Sequence, residues 1–80
     1  LNNIIKTYGG INQINIDLSS LKYQEKWHAI IYDITGKEYL QKDVMSGEVT
    51  KISSVKPGVY ICVLNNDNQT IQKKLLSNKK

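Results

Sequence analysis

Few residues of this 80-residue chain are of types that carry chemistry, and their spacing argues against it. The single histidine, His28, follows Trp27 inside an apolar stretch. No serine, cysteine or carboxylate stands at a motif spacing that would make it the base of a nucleophile. The seven carboxylates, Asp17, Glu25, Asp33, Glu38, Asp43, Glu48 and Asp67, fall one to a segment and are expected to be solvated surface acids rather than a glycosidase-type pair. Cys62 stands alone inside an apolar run and is expected to be a buried, inert thiol, with no second cysteine for a disulfide or a metal pair. The run Asn65-Asn66-Asp67-Asn68 offers oxygens but lacks the acid order, glycine and distal glutamate of a calcium loop, so it reads as a hairpin turn. Gly9-Gly10 lacks the strand-to-helix setting of a dinucleotide loop and also reads as a turn. Trp27 with Tyr8, Tyr23, Tyr32 and Tyr39 would make a sugar-stacking platform if several faced outward together, but core packing of Trp27 and Tyr32 is the expectation. No enzymatic activity, cofactor or metal is expected.

Charge points the same way. The formal net charge is +4, and all 11 basic residues are lysine. A nucleic-acid reader exploits arginine for bidentate contacts, and this chain has none, so no nucleic-acid partner is expected. Scattered lysines suit instead the edges of sheets, where they discourage aggregation. The longest apolar run, Val59 to Leu64, is far shorter than the roughly 20 residues that cross a bilayer, so no membrane insertion is expected. The chain opens on Leu1 with no basic-then-apolar leader. It is expected to be one domain, residues 1–80, cut from a larger exported protein, and monomeric.

The elements that would position any site are short and alternate with period two, which predicts an all-β fold. Ile14, Ile16 and Leu18 share one face of a strand over Gln13 to Leu18, with Asn15 and Asp17 toward water. Leu21 and Tyr23 are expected to anchor the polar connection that follows. Trp27 to Asp33 is apolar enough on both faces to be a central strand. Asp33, Gly36 and Lys37 have the placement of a tight hairpin turn, since glycine tolerates positive φ and aspartate can accept from its own backbone. Glu38 to Val44 is the next strand, and Met45-Ser46-Gly47 turns the chain again. In Glu48 to Ser53, Val49 and Ile52 break strict alternation, which predicts a bulge near Lys51. Pro57 and Gly58 mark a strand start. Val59 to Leu64 is read as buried on both faces, Gln69 to Leu76 as the last strand, and Ser77 to Lys80 as a solvated tail. With a short strand over Ile4 to Tyr8, the total of about six to seven strands predicts a small immunoglobulin-like antiparallel β-sandwich.

Three stretches, IYDITGKEYL, SGEVTKISSVKPGVYICVL and NNDNQTIQKKLL, together resemble the C-terminal sorting domain of the type IX secretion system over Ile14 to Leu76. The resemblance rests on Asp33, Gly36 and Lys37, on Pro57-Gly58-Val59-Tyr60, and on Lys73-Lys74-Leu75-Leu76. It implies a folded, non-catalytic export signal that passes through the periplasm to the cell surface or beyond. An outer-membrane translocon would recognise it, and a surface sortase would remove it, with attachment of cargo to lipopolysaccharide in some members. Gly58, Tyr60, Lys73, Lys74, Leu75 and Leu76 would then be the recognised residues. Four of them also have a structural reading: backbone geometry for Gly58, an internal hydrogen bond for Tyr60, edge protection for Lys73 and Lys74. The last strand is expected to be an edge that a partner could extend by strand addition. The alternative is an accessory glycan- or protein-binding sandwich.

Overall fold

A computed structural model describes residues 5–21, 25–67 and 69–77. The expectations for Ile4, Tyr23, Asn68 and 78–80 lie outside the described residues. The chain forms β1 (Lys6–Gly10), β2 (Gln13–Asp17), β3 (Lys26–Asp33), β4 (Glu38–Met45), β5 (Val49–Ser53), β6 (Gly58–Asn65) and β7 (Thr70–Ser77). A three-stranded sheet runs β1-β2-β5 and a four-stranded sheet β4-β3-β6-β7. All pairings are antiparallel. The expected β-sandwich is therefore the fold.

Alternation builds the core. Ile14 and Ile16 of β2, Trp27, Ala29 and Ile31 of β3, and Tyr60, Cys62 and Leu64 of β6 are all buried, and Ile71 and Leu75 of β7 join them. Leu21 packs against this cluster as expected. The opposite face of β6 is only half covered: Val59, Ile61 and Val63 are partly exposed, because no third layer lies over the four-stranded sheet among the described residues. Tyr32 belongs to that outer face too, paired with Ile61, and does not join Trp27 in the core.

Four other expectations need correction. The β2–β5 register is regular from Asp17↔Val49 to Gln13↔Ser53, so there is no bulge at Lys51. Val49 simply faces outward, 52% exposed, while Ile52 is buried. The irregularity lies between β3 and β4, where Ile31 pairs with Leu40 but Tyr32 with Glu38, leaving Tyr39 as the extra residue. Asn15 is buried rather than solvated, because β2 is the central strand and Asn15 is flanked by Tyr8 and Lys51. Gly9 and Gly10 lie within β1, and the turn falls at Ile11 and Asn12, where Asn12 has φ 54. Ser77 belongs to β7, buried, rather than to a tail.

β7 ends its ladder, with β6 as its hydrogen-bonded neighbour. Its free side is nonetheless closed along Leu76 and Ser77 by β1: a Cβ on Gly9 would overlap the Leu76 carbonyl oxygen. Backbones approach that closely only where glycine removes the side chain.

Candidate functional site

The motif pieces scattered through the sequence meet at one end of the four-stranded sheet. Asp33 pairs with Tyr60, Tyr60 with Leu75, Val59 with Leu76 and Gly58 with Ser77. One end therefore collects the Asp33–Lys37 turn, the start of β6 and the close of β7. Alternation then divides the residues by face. Tyr60 and Leu75 point into the core, 4% and 6% exposed, whereas Lys74 and Leu76 reach solvent. Lys73 is half-buried beside Cys62 on the inward face, so the two adjacent lysines do not form one patch.

The turn is held by one carboxylate. The Asp33 Oδ1 accepts from the Thr35 N–H at 2.9 Å, the Thr35 hydroxyl at 2.6 Å and the Lys37 N–H at 3.1 Å. The Gly36 N–H donates to the Asp33 carbonyl at 3.0 Å, and Gly36 takes φ +86. These donors, the Thr35 hydroxyl first, hold the Asp33 carboxyl below its ordinary value. Asp33 and Gly36 thus set the turn, while Lys37 is exposed.

The start of β6 is fixed by two tyrosines on the backbone of one residue, Lys56. The Tyr60 hydroxyl donates to the Lys56 carbonyl at 2.7 Å, and the Lys56 N–H reaches the Tyr39 hydroxyl at 3.4 Å. The two rings lie 5.1 Å apart, tilted by 57°. A tyrosine near the start of this strand bonding back to the preceding corner is a recurrent brace of immunoglobulin-like sandwiches. Burial first, then neighbouring Tyr39 and Asp33, raises the Tyr60 phenol above its ordinary value.

His28 has an acid partner that local spacing does not reveal. It is Asp43, paired with His28 across β3 and β4, with Nδ1 to Oδ1 at 2.9 Å. The Nε2 atom meets the Gln41 Oε1 at 2.7 Å, and Gln41 Nε2 donates to both Glu38 oxygens at 3.0 and 2.9 Å. Hydrogen bonds from Asp43 and then Gln41 raise the His28 pKa. Both ring nitrogens are occupied, leaving none to deprotonate a nucleophile. Cys62 is buried, and burial pushes its thiol up to about 12, the reverse of an activated cysteine.

Side chains also hold the next turn. At the β6–β7 hairpin the Gln69 N–H donates to the Asn66 Oδ1 at 2.9 Å, and the Thr70 hydroxyl to the Asn65 Oδ1 at 2.7 Å. Among the described residues no group of three His, Cys, Asp or Glu is placed to hold a metal. Of the aromatics considered for a stacking platform, Trp27 is in the core, Tyr8 on β1 and Tyr39 on β4 stand on different sheets, Tyr32 is partly exposed on the outer face of β3, and Tyr23 lies outside the described residues. No helix among the described residues is long and apolar enough to cross a membrane.

A family model described as the secretion system C-terminal sorting domain matches residues 10–78. No curated protein matches the chain.

Proposed function

The chain belongs to the secretion system C-terminal sorting domain family, the signal of type IX export to the cell surface or extracellular space, and from this premise we propose that it works as a folded, non-catalytic address. It is carried at the end of a cargo protein through the periplasm, read there by the outer-membrane translocon, and removed by a surface sortase. The observation that carries this reading is the family match over residues 10–78, on a sandwich whose motif residues converge on one sheet end.

The division of those residues by face supports recognition of shape rather than of a linear tag. Asp33, Gly36, Pro57, Gly58, Tyr60 and Leu75 build the sheet end. Lys37, Lys74 and Leu76 present it, all three being exposed. Lys73 is half-buried on the inward face and so lies apart from that surface. A non-catalytic role is supported by the engaged ring of His28 and the buried thiol of Cys62.

The test is a reporter bearing a periplasmic leader and residues 1–80 at its C-terminus, expressed in hosts with and without the translocon. Surface delivery is expected only where the translocon is present. Retention in both hosts would remove the reading.

A further inference from the structure

The outer face of the four-stranded sheet carries apolar side chains that no element among the described residues covers. Ile30 and Tyr32 of β3 and Val59, Ile61 and Val63 of β6 are partly exposed there, and Leu76 of β7 is 51% exposed. Cross-strand pairing arranges the face in rows: Gln41–Ile30–Val63–Gln72, then Glu38–Tyr32–Ile61–Lys74, then Val59–Leu76. An apolar stripe two strands wide is thus framed by Gln41 and Glu38 on one edge and by Gln72 and Lys74 on the other.

That frame is complementary to itself. A two-fold axis parallel to the strands reverses their order but keeps each row, so β4 faces β7 of a second copy and β3 faces β6. Glu38 of each copy then meets Lys74 of the other, Gln41 meets Gln72, and Ile30 and Tyr32 lie on Val63 and Ile61. We propose that the occupant of this face is the same face of a second copy, in an isologous sheet-on-sheet dimer. Aligned sheets rotate by about 30°, which displaces the outer strands by about 4 Å, within reach of Glu and Lys side chains.

Two further observations favour a second copy. The Glu38 carboxylate is already held in place by Gln41, itself fixed on His28, while Lys74 is exposed with no ion pair among the described residues. With the polar row Asp43–His28–Asn65–Thr70 beside these three, four strands by about four rows give roughly 450 Å² per copy, or about 900 Å² in total, the size of a weak and reversible contact rather than of an obligate dimer. On this proposal the domain is monomeric at low concentration. Lys74 and Leu76 also belong to the sheet end proposed for recognition, so pairing and recognition exclude each other; the pairing itself does not depend on that function and is tested without it.

The experiment is sedimentation velocity and amide NMR of the 80-residue chain over a concentration series. Concentration-dependent association is expected, with shifts at Ile30, Tyr32, Ile61 and Val63. Glu38→Lys and Lys74→Glu should each abolish it while leaving the fold's NMR dispersion intact. An equimolar mixture of the two variants should restore it as a heterodimer, as should the double exchange in one chain. A concentration-independent monomer would overturn the proposal, and so would single variants that associate like the parent. Glu38→Lys blocking surface delivery of the reporter, without self-association of the parent chain, would assign the face to a machinery protein and overturn it as well.

Discussion

The Tyr60 hydroxyl lies 2.7 Å from the Lys56 carbonyl oxygen, spanning the corner through which the chain passes from β5 to β6. Because Tyr60 is buried, this bond ties the core of one sheet to the connection leading from the other. Removing the hydroxyl leaves the ring packed against Tyr39 but the corner unbraced. Tyr60→Phe is expected to lower stability by about 1 kcal/mol, the net worth of one such bond. Urea unfolding checks this, and a midpoint equal to the parent's would show that the brace is idle. If Tyr60 instead contacted the machinery directly, delivery of the reporter would fall with no change in the midpoint.

The His28–Asp43 pair predicts a window of pH. The folded-state pKa of His28 lies above 6.5, so its contribution is full below that value and is lost as pH rises through the folded pKa. That of Asp43 lies below 3.8, so its contribution is present above 3.8 and is lost as pH falls through the folded value. The pair therefore stabilises between the two folded pKa values. Both groups are exposed enough for the effect to be small and salt-sensitive. NMR titration of the His28 ring should give a value above 6.5 that drops in Asp43→Asn; an unchanged titration would remove the pair.

Cys62 predicts silence toward thiol reagents. With the thiol pushed up to about 12 and fully enclosed, the folded protein at pH 8 should label far more slowly than the urea-unfolded chain. Equal rates would mean that β6 opens readily, contradicting its place at the centre of the core.

Strand positions were legible because alternation is a local property. Ile14 and Ile16, and Tyr60, Cys62 and Leu64, announce an inward face from their own spacing. What spacing cannot supply is the partner strand. The bulge expected at Lys51 came from assuming that Val49 and Ile52 both face inward. The actual irregularity admits Tyr39 toward Tyr60 and Lys56, a contact between strands distant in sequence. His28 and Asp43 likewise meet only through the register of β3 on β4. The division of Lys73 from Lys74 follows directly from period two, yet a sequence motif written as consecutive letters conceals it.

Two glycines, finally, separate the two reasons for which a glycine is required. Gly36 has open space around its Cβ position but takes φ +86, so Gly36→Ala meets only backbone strain and should cost about 1–2 kcal/mol. Gly9 carries no positive φ, and its constraint is space, since any Cβ would overlap the backbone of Leu76. Gly9→Ala must push β1 away from β7 and unseal the flank at which the sheets meet, so its cost should exceed that of Gly36→Ala and reach about 3 kcal/mol or more. Hydrogen exchange distinguishes the two. Gly36→Ala should loosen amides only around the β3–β4 turn, whereas Gly9→Ala should release those of β1 and the Leu76–Ser77 end of β7 together. A Gly9→Ala protein with parent-like protection along β7 would mean that β1 does not seal that edge, leaving it open to strand addition after all.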